Sequence, residues 1–286
     1  MVHLEKDEHI LEAIGRTRVV VRDGVVVEVG SPLIRSCPLA RKFACPVADM
    51  TPSAIKENIE QRIREFGMCT DRRQICSDQD FVPFGASELI SCGIRRSLLD
   101  CAVIVCDGAG TVVVTSPSMV QGIGGRMSGM VRTTPIIRLI QRIKEQGGHV
   151  LSEEAVIDQE GGVALARHLG YNRIAVTVAE SGTASALRNS YPDILIFGVH
   201  VTGLSVQEAS ALVDSCDLVT ACASSAVRAA AGQRAILQAG GTVPVFALTE
   251  RGKELVLERL RELRIQVLVK AEKLPKEMGE QPEPLV

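Results

Sequence analysis

The chain has no tryptophan, and its 286 residues include only six phenylalanines and two tyrosines. Proteins that bind single-stranded nucleic acid stack its bases on aromatic rings, so this scarcity argues against such a role. An excess of one charge is also missing, because 32 lysines and arginines face 34 aspartates and glutamates. The formal charge of -2 gives no broad attraction to nucleic acid or to an anionic membrane. We therefore expect no nucleic-acid partner.

Long apolar runs are missing as well, since no stretch approaches the ~20 residues of a membrane span. The first residues, MVHLEKDEHILEAIG, are charged and resemble an amphipathic helix rather than a signal peptide. We predict a cytoplasmic protein with no membrane partner. In that reducing setting, the nine cysteines are expected to be core thiols, metal ligands or reactive groups rather than disulfides.

Apolar residues make up 46% of the chain, which is ample for a core. The segment TRVVVRDGVVVEVG places Asp23-Gly24 between two valine runs and predicts a β-hairpin. Thr51-Pro52 then predicts a helix start, with isoleucines at four-residue spacing and an end at Gly67. Residues 1–80 are therefore interpreted as an N-terminal, cysteine-bearing unit of hairpin and helix.

From about residue 84, short apolar strands alternate with helices, which is typical of a parallel sheet covered on both faces. The predicted fold class is α/β and Rossmann-like, with a mainly parallel sheet. Its body spans residues 81–270, with a possible internal boundary near residue 150, and a flexible tail covers 271–286. Predicted strands include 102–106, 174–178, 194–199, 218–221, 243–247 and 266–269, and one predicted helix spans 226–239.

A glycine-rich stretch, CDGAGTVVVTSPSMVQGIGGRMSG, follows the first of these strands. Ligands in open α/β sheets bind beyond the carboxyl ends of strands, and glycines let backbone approach a ligand closely. We predict a ligand loop over residues 118–129 for a small anionic ligand or cofactor. For Asp107-Gly108-Ala109-Gly110 the alternative is a plain hairpin turn, and the glycines of GIGGRMSG do not match the dinucleotide-binding spacing G-x-G-x-x-G. The candidate binding residues are Asp107, Gly108, Gly110, Ser118, Gly122, Gly124, Gly125 and Arg126.

Two further segments place carboxylates beside glycine and hydroxyl groups. Glu180, Ser181, Gly182 and Thr183 follow strand 174–178, and Glu88 opens a helix after Gly85. Glu88 and Glu180 are candidate general acids or bases, and Ser181, Gly182 and Thr183 are candidate binding residues. Ordinary helix capping is the alternative interpretation of both segments. We expect these two segments and residues 118–129 to line one cavity.

Four cysteines lie in the proline-broken N-terminal unit, as a C-x7-C and a C-x6-C pair. Cys37, Cys45, Cys69 and Cys76 are therefore candidate ligands for zinc or an iron–sulfur cluster. Their spacing matches no standard signature, and structural thiols are the alternative. The prediction requires at least three of the four sulfur atoms to lie close together.

Six segments together resemble the methanogenesis marker protein 8 family, over about His9 to Leu263. They are HILEAIGRTRVVVRDGVVVEVG, CPLA, TPSAIKENIEQRIREFGMCT, DFVPFGASELI, DCAVIVCDGAGTVV and VQGIGGRMSGMVRTTPI. The resemblance implies an anaerobic archaeal cytoplasm and a role alongside methane metabolism. It implies no particular reaction, because the family's activity is unassigned.

Two functional hypotheses follow. The first is an enzyme or maturation factor for methanogenesis that binds a small anionic ligand or cofactor, with or without a metal centre. The second is a non-catalytic partner or scaffold protein with structural cysteines. Other methanogenesis proteins and a second copy of the chain are possible partners under both. A nicotinamide-dependent oxidoreductase shares the fold class but has the wrong glycine spacing.

Overall fold

The computed structural model describes residues 7–126 and 129–286, which form two β-sheets and nine α-helices. The strands are β1 (Glu8–Ala13), β2 (Thr17–Arg22), β3 (Val25–Val29), β4 (Cys101–Cys106), β5 (Gly110–Val114), β6 (Gly129–Thr133), β7 (His149–Val150), β8 (Ile174–Val178), β9 (Leu195–Gly198), β10 (Leu218–Thr220), β11 (Leu237–Ala239) and β12 (Val245–Ala247). The helices are α1 (Pro52–Phe66), α2 (Ala86–Arg95), α3 (Pro117–Gly124), α4 (Ile137–Glu145), α5 (Gln159–His168), α6 (Ser181–Ser190), α7 (Val206–Ser215), α8 (Ser225–Arg234) and α9 (Glu250–Glu262).

The smaller sheet is antiparallel, in the order β3-β2-β1-β6, and contains the predicted hairpin between β2 and β3. The amphipathic helix predicted at the N-terminus is wrong from Glu8 onward, because β1 is a strand. Alternate residues His9, Leu11 and Ala13 are buried, the two-residue period of a strand with one covered face. Both edges of β1 are paired, so tertiary contacts override the local pattern. The first six residues of that prediction lie outside the described part of the chain.

Helix α1 begins and ends where the sequence predicts. The Thr51 hydroxyl accepts a hydrogen bond from the Ala54 N–H, and Pro52 occupies the first helical position. Gly67 ends the helix with φ +66°, a left-handed conformation that glycine adopts readily. The buried isoleucines of α1 pack with Leu11 and Val19 of the smaller sheet.

The larger sheet has the order β11-β12-β10-β9-β8-β4-β5-β7. Its four central strands, β4, β8, β9 and β10, are parallel, but the two strands at either edge are antiparallel. The sheet is therefore mixed, and the mainly parallel sheet of the prediction is restricted to its centre. A short turn after β4 accounts for part of the difference, because it allows only an antiparallel return.

Helices cover both faces of the larger sheet, as expected. Apolar residues of α2, α3, α4 and α9 pack on one face, and those of α5, α6, α7 and α8 on the other. Two predicted elements are wrong. The helix predicted over 226–239 stops at Arg234, because residues 237–239 pair with β12 as strand β11. Residues 266–269 form no strand, because they have no neighbouring strand to pair with.

The boundary predicted near residue 80 stays a prediction, but one strand crosses it. Strand β6 pairs with β1, so residues 129–133 complete the N-terminal sheet. The tail is irregular and runs along the body, where Glu283 bridges Ser36 and the Val286 N–H donates to the Ala223 carbonyl. The flexibility predicted for this tail is not tested by these contacts.

A fully buried ion pair joins the N-terminal segment to the larger sheet. Asp107 directly follows β4, and its Oδ1 accepts from Arg73 Nε at 2.8 Å. Its Oδ2 accepts from the Cys69 N–H at 2.6 Å. The Arg73 guanidinium also donates to the carbonyls of Gly122 and Ile123, at 3.1 and 3.2 Å. One side-chain pair therefore fixes three separate segments of the chain.

The charge states of this pair support each other. Burial alone would raise the pKa of Asp107, but the charge and hydrogen bonds of Arg73 and the Cys69 N–H outweigh it. The pKa of Asp107 consequently lies below its ordinary value. Burial also lowers the pKa of Arg73, and the neighbouring Asp107 carboxylate more than reverses this, so that the pKa of Arg73 is raised.

Replacing Asp107 by Asn should leave Arg73 as an unpaired buried charge. We expect Asp107→Asn to lower the free energy of unfolding by about 3–5 kcal/mol, measured by urea denaturation. Asp71→Asn is the matched control, because Asp71 forms an exposed ion pair with Arg138 at 3.3 Å. It should cost under about 1 kcal/mol. Equal losses in the two variants would contradict a special role for the buried pair.

The same pair should make stability depend on pH in acid. Because the pKa of Asp107 is lower in the folded than in the unfolded chain, its contribution is complete above the unfolded value of about 3.9. It is lost as the pH falls through the folded value. The difference in unfolding free energy between wild type and Asp107→Asn should therefore be constant near neutral pH and shrink below about pH 4. A difference that grows on acidification would contradict the assignment.

Candidate functional site

The predicted glycine-rich loop is largely a helix. Helix α3 begins at Pro117, directly after Ser116. Its side chains Met119, Val120 and Ile123 are buried. A Cβ atom on Gly122 would lie 2.4 Å from the backbone carbon and oxygen of Ile75. The absence of a side chain at Gly122 therefore lets α3 pack directly against an adjacent backbone. Met127 and Ser128, at the end of the predicted loop, lie outside the described residues.

The turn between β4 and β5 has the geometry of a plain hairpin. Gly108 and Gly110 adopt φ +78° and +67°, and the Gly108 N–H donates to the Thr133 hydroxyl at 2.7 Å. A Cβ on Gly110 would lie 2.3 Å from the Ala155 backbone. Asp107 is held by Arg73, and the Ser118 hydroxyl lies 2.8 Å from that of Ser116. These four candidate binding residues therefore contact protein groups.

Two of the three predicted segments do meet, at the start of α2 and the end of α3. A Cβ on Gly124 would lie 3.7 Å from the Ser87 Cβ. The Glu88 carboxylate, only 2% exposed, accepts from the Phe81 N–H at 3.0 Å and from Gln121 Nε2 at 2.9 Å. We name the group formed by Phe81, Ser87, Glu88, Gln121, Gly124, Gly125 and Arg126 the α2–α3 site.

Arg126 lies at one side of this site. Its guanidinium carbon is 4.1 Å from the centre of the Phe66 ring and 5.8 Å from that of Phe81. Nη1 donates to Gln74 Oε1 at 2.6 Å, and Nη2 to the Ser77 hydroxyl at 3.4 Å. Burial, with the nearby charge of Arg73, lowers the pKa of Arg126. Its Nε atom is buried and has no hydrogen-bond partner among the described residues.

Gln121 carries a second unpartnered atom. Its Nε2 donates to the Gln79 carbonyl and to Glu88, which fixes the orientation of the amide. The Oε1 atom is buried and accepts from no group in residues 7–126 and 129–286. Gln121 is not among the residues predicted for this site. Its signal is a single polar side chain within the otherwise apolar and small residues of MVQGIG.

The third predicted segment lies on another helix. Glu180 precedes α6 without a side-chain capping bond, and Gly182 has no atom within 4 Å of its Cβ position. Helix α6 packs on the face of the sheet opposite α2 and α3. Within the described chain, no side-chain hydrogen bond or ion pair joins Ser181 or Thr183 to the α2–α3 site. The roles predicted for Glu180, Ser181, Gly182 and Thr183 stay predictions.

The four candidate metal-ligating cysteines lie in different surroundings. Cys37 packs in a cluster with Ala223, whereas Cys69 packs beneath the smaller sheet, where burial raises its pKa. Cys76 is exposed and donates to Gln146, while the Cys45 carbonyl accepts from Asn58. Across residues 7–126 and 129–286, no three His, Cys, Asp or Glu side chains are arranged to hold a metal ion. This donor set does not fit a four-thiolate centre.

A depression of about 370 Å³ lies between the β2–β3 turn and residues 69–72. Of the predicted site residues, Cys69 lines it. Three carboxylates, from Asp7, Asp23 and Asp71, also line it, against one cation from Arg72. Its charge therefore does not suit the predicted anionic ligand.

Sequence comparison assigns the chain to a family. The family described as "Uncharacterized protein conserved in archaea (DUF2099)" matches residues 9–261. The chain belongs to this archaeal family. The chain is also similar to "Uncharacterized protein MJ0054" of Methanocaldococcus jannaschii, to which it is 44% identical over 284 residues. The matched residues cover 98% of this chain and 100% of the relative. No solved structure matches the chain.

Among the helices of the described residues, none combines the length and the apolar character needed to cross a bilayer.

Gly122 and Gly182 offer a matched test of packing. Gly122→Ala should lower the free energy of unfolding by about 1–3 kcal/mol, because the methyl group would overlap the Ile75 backbone. Gly182→Ala, in the open first turn of α6, should be neutral or stabilise by up to about 1 kcal/mol. Thermal or urea denaturation measures both. A Gly122→Ala protein as stable as wild type would show that α3 does not pack as described.

Proposed function

We propose that this protein binds a small anionic ligand at the α2–α3 site and acts alongside methane metabolism. One observation carries the ligand proposal: Gln121 Oε1 and Arg126 Nε are both buried without a partner in the described chain. Buried polar atoms are nearly always hydrogen-bonded, and each unmade bond costs about 1–3 kcal/mol. A ligand that satisfies both atoms would recover that energy.

The two unpartnered atoms require different ligand groups, because one is a hydrogen-bond donor and the other is an acceptor. Arg126 Nε is a donor on a cation and suits an oxygen of a carboxylate or phosphate. Gln121 Oε1 is an acceptor and suits an O–H or N–H group. The Glu88 carboxylate, 2.9 Å from Gln121 Nε2, would repel a second negative charge at that end. The ligand class that fits is a small hydroxy acid or phosphorylated alcohol, with its anion toward Arg126.

Glu88 remains the proposed proton-transfer group of this site. Its carboxylate lies beside the Gln121 amide, where a ligand hydroxyl would bind. The hydrogen bond from the Phe81 N–H holds the carboxylate in one orientation. This arrangement suits a general base, but no reaction follows from it without a known ligand. Glu180 directly precedes α6, which packs on the opposite face of the larger sheet, so it is not part of this proposal.

The link to methane metabolism rests on similarity. The six sequence segments resemble the methanogenesis marker protein 8 family, and the relative that covers 98% of this chain comes from Methanocaldococcus jannaschii. The proposal includes no metal centre, because no three of the candidate cysteines are arranged to hold a metal ion within residues 7–126 and 129–286.

The second candidate function is a non-catalytic partner protein, and the burial of Cys101, Cys106 and Cys216 fits the structural role that this hypothesis gives to cysteines. Burial raises the pKa of Cys101 to about 12, and the pKa of Cys106 and Cys216 is raised further. Such thiols are inert packing groups rather than reactive ones. This function requires no small ligand at the α2–α3 site.

Isothermal titration calorimetry with two probes, glycerate and inorganic phosphate, tests the ligand proposal. Both should bind wild type, and Arg126→Lys should weaken both by at least about tenfold, because lysine lacks the Nε donor and the planar fork. Gln121→Leu should weaken glycerate, because leucine accepts no hydrogen bond from the hydroxyl group of that probe. Arg138→Lys, at an exposed arginine, is the control and should bind both as wild type does.

Three results would contradict the proposal. Absence of binding of both probes up to about 10 mM, a concentration above any useful affinity, favours the partner-protein hypothesis. Equal weakening in Arg138→Lys points to general surface charge. Unfolding of Arg126→Lys, detected by circular dichroism, would mean that Arg126 serves the packing of Phe66 and Phe81 instead.

A further inference from the structure

The segment after α9 is unusual in its exposure. Residues 264–273 are all exposed and belong to no helix or strand. Within the described chain, they make no backbone hydrogen bond to another segment. Their peptide groups are therefore free to pair with another chain, as those of an edge strand are.

The side chains of this segment alternate as those of a β-strand do. The odd positions are apolar, and the even positions are polar apart from Leu268. Val269 is 77% exposed and Leu268 is 73% exposed, so the apolar groups lie in water. The odd set is Ile265, Val267, Val269 and Ala271, and the even set is Arg264, Gln266, Leu268, Lys270 and Glu272. A two-residue period of this kind indicates a strand with one covered face.

We infer that residues 264–272 of two copies of this chain pair as antiparallel strands about a twofold axis at Leu268. Pairing of a segment with itself is closed, so it gives a dimer and not a fibre. The odd faces of the two copies then form one continuous apolar ladder, with Val267 opposite Val269 of the partner subunit. Pairing also satisfies the free backbone groups on the edge of the segment that faces the partner subunit.

Charge selects this register. With the axis at Leu268, Arg264 lies opposite Glu272 of the partner subunit, and the symmetric contact repeats this pair. With the axis one residue earlier, at Val267, Arg264 would oppose Lys270 of the partner subunit. Like charges directly opposite one another destabilise a sheet, so the first register is favoured. Glu272 also forms an ion pair with Lys276 of its own chain, at 3.0 Å.

Self-pairing fits this segment better than the remaining apolar surface. Other exposed large apolar residues belong to elements that are already paired on at least one side: Val206 at 77% and Ile137 at 52% begin helices, and Val25 at 58% and Val131 at 56% lie on the edge strands β3 and β6. Residues 264–272 combine exposed apolar groups with free backbone and complementary charges. A second copy supplies all three complements at once.

Sedimentation velocity of the full chain is the first test. Wild type should form a dimer as its concentration rises to about 100 µM, which populates even a weak complex. Leu268→Lys places two like charges on the axis and should raise the dissociation constant by at least about tenfold. Val206→Lys makes the same change at an equally exposed residue outside the segment and should leave the dimer unchanged. A monomeric wild type, or equal weakening by both variants, overturns the inference.

Charge reversal tests the register. Arg264→Glu alone and Glu272→Arg alone each create two like-charge contacts and should weaken the dimer by roughly five- to thirtyfold. The double variant restores opposite charges and should return the dissociation constant to within about twofold of wild type. Loss of the Glu272–Lys276 ion pair cannot explain such recovery, because the double variant lacks it too. A double variant as weak as the single ones overturns the proposed pairing.

Discussion

The ion pair between Arg73 and Asp107 is the contact on which the rest of this structure depends. It is fully buried, and it joins the segment after α1, the turn after β4 and the last turn of α3. Arg142 of α4 extends the connection, because it donates to the carbonyls of Arg73 and Asp71. An unpaired charge at this depth would be costly, so each of these segments is confined to one position.

This constraint explains why most of the glycine-rich stretch packs against protein. Asp107 cannot serve a ligand while it compensates Arg73, and Gly122 must remain small because α3 lies directly on the Ile75 backbone. The stretch becomes open to other partners beyond Gly122. There, Gly124 and Gly125 bring α3 beside Ser87 and Glu88, and two polar atoms are left without partners. The proposed site therefore lies just after Gly122, the last glycine of this stretch that packs directly on the Ile75 backbone.

Sequence patterns predicted the local elements with strong start and end signals. The cap at Thr51, the proline at 52 and the glycine at 67 gave α1 its bounds, and Asp23-Gly24 gave the first hairpin. Of the predicted site residues, Glu88, Gly124, Gly125 and Arg126 lie where α2 meets α3, and their roles stay predictions. Gln121 and Arg73 were missed, because the residues next to either side chain do not indicate its partner 33 or 34 positions away.

The sequence by itself determined the alternation of strand and helix, the apolar central strands and the bounds of the capped helices. These depend on neighbouring residues, through propensity, capping and periodicity. Only the tertiary structure decided that β1 is a strand between β2 and β6, that the larger sheet is antiparallel at its edges, and that no three of the candidate cysteines, all in the described part of the chain, are arranged to hold a metal ion. The physical reason is that strand pairing and buried charge compensation join residues distant in sequence, and no local pattern specifies which distant segment will meet them.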